Sequence, residues 1–511
     1  MLIFIVAIYI ILSFKCETEA KKGGYFPKDI PYGFGSSAYQ FEGAWNEDGR
    51  GPSIWDTFTH KIPSPIKNND SADVACDFYH RYKEDIKLAA DLGAKLYRFS
   101  ISWSRVLPSG YAYNLNEKGI QYYKNLVTEI LKYNMSPVAT LYHWDLPQGL
   151  YDNGIDWTNP DIIPHFVNYS RIVIQNLPKV QFWLTINEPK QICHWGYGVG
   201  YMPPNVKSDG VLEYKCTYVV LKAHAAVYRM YKSEFPHYEG KMSLTLDCNW
   251  MEPLTKNFED VDAASRRQQF ECGLYYHPIV RGDWPYIVKY RIYLRSKNAN
   301  LPESRLPEFS LREIADIRGT YDFLGVNHYL TYLVKDEKEA PFTNISYAND
   351  VRIDSSYDIE GNKQDKEVSM LVPFGIKNVL NWITKEYGNI PILITEIGTS
   401  DNGTMFNDVH RIDFVTDYLC TVLEAINDGV NVTGITFWSL TDNFEWIVGY
   451  SQCYGFYQID FKNPFLPRMP RRSVSFIKNY LQTGMLKCNE SRIMWPNRIK
   501  LPTLEEINLY G

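Results

Sequence analysis

The chain has 511 residues, 45% of them hydrophobic and 22% charged, a composition that suits a water-soluble protein able to bury a large core. A formal charge of −6 and the absence of Lys/Arg blocks argue against nucleic acid as a partner. At about 150 residues per domain the length would imply three domains, but an α/β barrel exceeds that figure as one unit.

The chain opens with "MLIFIVAIYIILSF", an apolar run of signal-peptide length and too short for a comfortable membrane span. Residues 1–20 are therefore expected to be a signal peptide and 21–511 the mature domain. Cleavage fits near Cys16 or Ala20, with Thr18–Glu19–Ala20 matching the small-residue rule better. The usual Lys or Arg ahead of the apolar run is missing, and an uncleaved anchor is the alternative. Seven Asn-x-Ser/Thr sequons, at Asn69, Asn134, Asn168, Asn344, Asn402, Asn431 and Asn489, support export and N-glycosylation. Nine cysteines, eight if Cys16 leaves with the signal, permit disulfides without specifying their pairing. No C-x-x-C pair or H-E-x-x-H motif occurs, so no metal site is read. A homodimer is left open.

Eight short β-prone runs follow: 32–39, 95–102, 136–144, 181–188, 241–247, 322–329, 391–398 and 434–440. Between them lie helical patterns such as "RYKEDIKLAADLGA", "EKGIQYYKNLVTEILKY" and "DFVTDYLCTVLEAINDG". Eight alternations predict a single α/β fold, a closed (β/α)₈ TIM barrel with long insertions after strands four, five and six. An open doubly wound sheet is the structural alternative. "GFGSSA" at 33–38 formally fits a dinucleotide fingerprint, but its glycines fall inside the first strand with loop after them, so nucleotide is not expected. "GYGVGY" at 196–201 reads as loop.

In such a barrel the functional residues sit at the C-terminal strand ends. The sequence places there Gln40, Arg98, His143–Trp144, Asn187–Glu188, Asn327, Tyr329, Glu396 and Trp438, with Glu445 and Trp446 in the next loop. Either glutamate alone could be a capping or salt-bridged carboxylate. Two of them among amides, an imidazole and indoles suit glycosidic bond cleavage, where one carboxyl protonates the leaving oxygen and the other attacks the anomeric carbon. Amides and His would meet sugar hydroxyls. Aromatics, 15% of the chain, would cover the sugar's apolar faces.

The stretches "GFGSSAYQFEGAWNEDGRGPSIWDTF", "LYHWDLPQGL", "LTINEP", "ILITEIG" and "FWSLTDNFEW" resemble glycoside hydrolase family 1, the retaining β-glucosidases. The likeness runs along nearly the whole mature chain, and within the family it is similar to secreted insect members. The resemblance implies that Glu188 is the acid/base and Glu396 the nucleophile, the latter held ionised by hydrogen bonds from Arg98 and Tyr329. It further implies that Gln40, His143, Asn187, Asn327, Glu445 and Trp446 bind the glycone over a Trp438 platform. No cofactor is implied.

The chain departs from the family's pattern in two places. Ile397 stands where the family usually has Asn, and Cys453–Tyr454 replace Arg–Phe. Tyr454 therefore lies near the sugar's primary hydroxyl, which leaves glucose, galactose and fucose preference open. The expected reaction is hydrolysis of a small-aglycone β-glucoside. A thioglucosidase of the myrosinase type is the alternative, with Lys190 and His194 facing a sulfated aglycone; a non-catalytic sugar-binding barrel is a remote one.

Overall fold

Strand-forming runs close a barrel in the computed structural model, which describes residues 26–27, 29–358, 360–366, 369–486 and 488. The expected signal peptide and Asn489 lie outside the described residues. The barrel strands are β1 (Tyr32–Gly35), β2 (Leu96–Ser100), β3 (Ser136–Tyr142), β4 (Phe182–Asn187), β5 (Lys241–Asp247), β6 (Leu324–His328), β7 (Ile392–Ile397) and β8 (Val432–Phe437). Neighbours pair in parallel, and β1 pairs with both β2 and β8, so no edge is left open. The closed barrel rules out the doubly wound sheet.

One main crossover helix precedes each strand from β2 to β8, and one follows β8: α1 (Phe78–Leu92), α2 (Glu117–Lys132), α3 (Ile162–Asn176), α4 (Leu212–Glu234), α5 (Leu274–Arg281), α6 (Phe374–Tyr387), α7 (Val409–Asn427) and α8 (Arg472–Thr483). In α2 the buried Ile120, Tyr123, Leu126, Val127 and Ile130 recur at three- and four-residue spacing, while Glu117, Lys118 and Gln121 face solvent. Such stripes bind the helices to the outside of the barrel.

Inside the barrel, Leu96, Val138, Leu184, Phe323 and Leu393 form an apolar floor. Two residues farther along their strands stand Arg98, Thr140 and Thr395, all fully buried. The period of two puts them on the same inward face, so the interior changes from apolar floor to polar chamber toward the C-terminal strand ends.

The first and eighth strands end earlier than their expected runs, and β8 also begins earlier. β1 stops at Gly35, and Ala38–Phe41 forms a helical turn where strand and loop were expected. The cause is a long-range contact: Ala38 N donates to Ser100 Oγ at 2.6 Å, which leads the chain away from the ladder. Gly33 serves close strand contact, since a Cβ there would stand 2.0 Å from the Leu96 carbonyl oxygen. The 196–201 loop reading is also corrected in part, because Gln191–Gly198 forms a wide π-helical segment. The insertions after β5 and β6 supply a small sheet of Trp250–Pro253, Thr331–Asp336, Ile353–Tyr357 and Ser369–Met370.

Among the described residues three disulfides join Cys193 to Cys216, Cys248 to Cys272 and Cys420 to Cys488, while Cys76 and Cys453 are free and buried. Among the described residues no helix is long and apolar enough to cross a membrane.

If the floor is a packed core, Leu184→Ala should destabilise the protein by about 2–5 kcal/mol, through lost burial and the cavity left behind. Thermal or denaturant unfolding reads this directly. An unchanged midpoint would mean that the floor is not tightly packed.

Candidate active site

Arg98, on β2, has no exposed surface. A guanidinium withdrawn from water needs acceptors and a balancing charge, and three groups, one of them a carboxylate, supply these. One terminal nitrogen donates to Glu396 Oε1 on β7 and, at 3.2 Å, to the Thr395 carbonyl oxygen; the other donates to Asn187 Oδ1 on β4 at 2.7 Å. Tyr329, just past β6, donates its hydroxyl to Glu396 Oε2 at 2.6 Å. Both Glu396 oxygens thus face donors, the surroundings a carboxylate requires.

The neighbouring amides are oriented in sequence from this pair. Asn327 Oδ1 accepts from Thr395 Oγ1 at 2.6 Å and Thr245 Oγ1 at 3.2 Å. Its NH₂ is therefore turned toward Glu188 Oε1 at 2.6 Å and Asn187 Oδ1 at 3.2 Å. With Asn187 Oδ1 occupied by Arg98 and Asn327, the Asn187 NH₂ donates to His143 Nε2 at 3.1 Å. Burial, reinforced by the Arg98 charge, pushes the His143 pKa well below its ordinary value. The ring is neutral, and its proton belongs on Nδ1, a buried atom with no protein partner.

Glu188 follows the last residue of β4 and is 6% exposed. Burial first, then the negative charges of Glu396 and Asp247, raise its pKa well above the carboxylate range. Both effects favour its protonated form. Its backbone has φ +44°, in the left-handed region, and Trp144 and Trp446 share that sign at +76° and +52°. Such conformations in non-glycine residues persist where surrounding contacts over-determine them, and they gather at functional sites. Here Trp144 Nε1 holds the Asn187 carbonyl at 3.0 Å, and Glu188 N donates to the Thr245 carbonyl at 2.9 Å.

Aromatic rings form one side of the chamber. The His143 ring lies 6.2 Å from Trp438 and 5.9 Å from Trp446, and Trp446 packs 4.3 Å from Trp144 and 4.6 Å from Trp55. Gln40 Nε2 donates to Glu445 Oε2 at 3.3 Å. Burial and the nearby Glu396 push Glu445 up to about 8. Tyr454 stands edge-on to Tyr329 at 6.1 Å, and Ile397 is buried in the wall.

Two sequence expectations need correction. Lys190 and His194 do not present a cation to an aglycone. The Lys190 ammonium is buried between Asp247, at 2.6 Å, and Glu271. His194 packs 4.7 Å from Tyr347, and burial lowers its pKa to about 4. Sequence reasoning missed Asp247 at the end of β5 and the two threonines that orient Asn327. Asp247 sits at a strand end, which is the signal that could have found it.

Residues 22–485 match the profile of glycosyl hydrolase family 1. The chain belongs to this family. It is 41% identical over 466 residues to Myrosinase 1 of Brevicoryne brassicae, covering 90% of this chain and 99% of that one. The solved structure of an aphid myrosinase superposes with a TM-score of 0.85 at 40% identity, over 90% of this chain and all 100% of that one. A mutant rice β-glucosidase in a covalent complex with Glc superposes at 0.83 and 33% identity, covering 89% of this chain and 99% of that one. The protein is thus a family 1 glycoside hydrolase.

Removing the Arg98 guanidinium should leave Glu396 Oε1 without its donor and Asn187 Oδ1 with Asn327 alone. Arg98→Met is expected to cost about 3–5 kcal/mol of stability along with the activity, because it breaks a buried pair from one side. Thermal unfolding and turnover of an aryl glycoside measure the two losses. An unchanged unfolding midpoint would show that the pair does not organise the chamber.

Proposed function

We propose that the protein is a secreted retaining β-glucosidase that hydrolyses small-aglycone O-glucosides through a glycosyl-enzyme intermediate and needs no cofactor. One observation carries this reading: two buried glutamates face one chamber in opposite surroundings. Burial and like charge favour the protonated form of Glu188, while both oxygens of Glu396 accept hydrogen bonds from Arg98 and Tyr329.

Glu396 attacks the anomeric carbon as the glycosidic bond breaks, and Glu188 gives its proton to the departing oxygen. Glu188, now ionised, then takes a proton from water, which attacks the same carbon and releases Glu396. Arg98 and Tyr329 keep the attacking carboxylate in line between the two steps. The His143 Nδ1–H, Gln40, Asn187, Glu445 and Trp446 meet the hydroxyls of the sugar, Asn327 orients Glu188, and Trp438 lies under the ring. Tyr454 adds its phenol near the primary hydroxyl.

A thioglucosidase reading draws on the 41% identity to a myrosinase. The burial of Lys190 between carboxylates and the neutral His194 weigh against it, since a sulfated aglycone would find no cation in either. Turnover of a panel of aryl glucosides, cello-oligosaccharides and glucosinolates tests the choice. Efficient cleavage of glucosinolates with none of O-glucosides would overturn it.

Secretion is supported by three disulfides, which suit an oxidising compartment, and by exposure of Asn69, Asn134, Asn168, Asn344, Asn402 and Asn431. The mature protein should lack the segment through about Ala20 and lose mass on enzymatic deglycosylation. An intact mass that retains Met1 and does not change on that treatment would contradict this.

The two glutamates should fail differently. Glu396→Ala removes the attacking atom and should abolish turnover of every β-glucoside. Glu188→Ala should lose about 10²–10⁴-fold on alkyl glucosides and little in the first step on activated nitrophenyl ones, which depart without a proton. Azide should rescue Glu188→Ala to give the β-glucosyl azide, and Glu396→Ala to give the α-azide. In the parent enzyme, kcat/KM should fall on the alkaline side as Glu188 loses its proton, at a pH above the ordinary carboxylate range. Equal slowing of all leaving groups in Glu188→Ala would remove it as the acid/base.

A further inference from the structure

A third carboxylate adjoins the pair, and the mechanism above does not use it. Asp247 ends β5, with 4% of its surface exposed. Its Oδ2 meets Lys190 Nζ at 2.6 Å and accepts from Gln191 Nε2 at 2.8 Å, while its Oδ1 is buried with no partner. Lys190 and Gln191 are the second and third residues after Glu188. Glu271 grips the same Lys190 from the other side. The two carboxylates are brought together by the Cys248–Cys272 disulfide, whose cysteines directly follow Asp247 and Glu271 in the chain.

We propose that Asp247 is a positioning residue for the acid/base Glu188: it anchors the turn after Glu188 through Lys190 and Gln191 and places a fixed negative charge beside the Glu188 carboxyl. This rests on the acid/base reading of Glu188.

The first half of the role is mechanical. Glu188 holds a left-handed backbone, φ +44°, that a glutamate does not adopt unaided. On its N-terminal side the strand ladder and Trp144 restrain it; on its C-terminal side Asp247 restrains the next side chains. Gln191 N also donates to the Glu188 carbonyl at 2.9 Å, which closes the turn.

The second half is electrostatic. The charged groups around Glu188 come from every strand end packed against it: Arg98 from β2, Glu396 from β7 and Asp247 from β5. Asn327 from β6 donates to it, and the uncharged hydroxyls of Tyr329 and Tyr454 complete the set. Behind Asp247, Lys190 and Arg267 offset Asp247 and Glu271. That balance leaves the group neutral, so deletion of the Asp247 charge leaves one net positive charge near Glu188 and favours its ionised form. Burial pushes Asp247 itself up, to about 6, against the pull of Lys190, so its charge is present at neutral pH.

The test is Asp247→Asn, with Asp247→Glu as the conservative variant, assayed on an alkyl and a dinitrophenyl β-glucoside across pH. Asp247→Asn should shift the alkaline limb of kcat/KM downward by about one pH unit. At neutral pH it should lose about tenfold on the alkyl glucoside, which needs the proton, and stay within about twofold on the dinitrophenyl one. Asp247→Glu should restore much of the limb's position. An unmoved limb, or equal loss on both substrates, would overturn the proposal. If Asp247→Asn does not fold, Gln191→Leu should show the same leaving-group pattern at smaller size, and equal loss on both substrates there would overturn it too. A parent enzyme without an alkaline limb would remove the acid/base reading as well. A normal limb in the parent with none of these shifts in the variants would remove only the role of Asp247.

Discussion

The buried charge of Arg98 organises the site. A guanidinium inside a barrel must find acceptors on other strands, because water cannot reach it. Its partners on β4 and β7 tie three strand ends together, and each partner sets the next. Asn187, with its oxygen committed to Arg98 and Asn327, can only donate to His143. The proton on that ring is thereby assigned to the nitrogen that has no protein partner. The apolar floor of Leu96, Val138, Leu184 and Leu393 keeps this polar layer at the C-terminal end of the strands.

The same layer gives two identical side chains opposite properties. Glu396 lies between a cation and a phenol. Glu188 receives one amide donor and feels two other carboxylates. Its backbone strain shows that this placement is enforced rather than relaxed. Restraint comes from three directions: the β4–β5 ladder, the Trp144 indole and the Asp247 clamp on the following residues. The aromatic wall adds shape, with Trp446 packed among Tyr39, Trp55, His143 and Trp144.

The barrel was legible because its strands are short apolar runs, each followed after a loop by an amphipathic helix. The site residues at strand ends were legible for the same reason: Glu188 and Glu396 each interrupt such a run with a carboxylate. What could not be read depends on distant partners. Lys190 looks like a free cation in "NEPKQ", yet Glu271, 81 residues away, neutralises it together with Asp247. The turn at Ala38–Phe41 was hidden because Ser100, 62 residues on, provides its acceptor. Disulfide pairing was open for the same reason, as spacing alone does not bring Cys248 to Cys272. Local pattern reveals elements; long-range electrostatics reveals itself only once the chain is folded.

In the proposed mechanism Glu396 forms the bond to sugar while Glu188 handles the proton. A β-glucosyl donor with fluorine at C2 and an activated leaving group measures this most directly. The fluorine slows both steps, and the leaving group restores the first, so the intermediate accumulates. Mass spectrometry of the digested protein should find one fluoroglucosyl unit, on Glu396. A unit found on Glu188, or continued turnover with no labelled peptide, would contradict this assignment of the two glutamates.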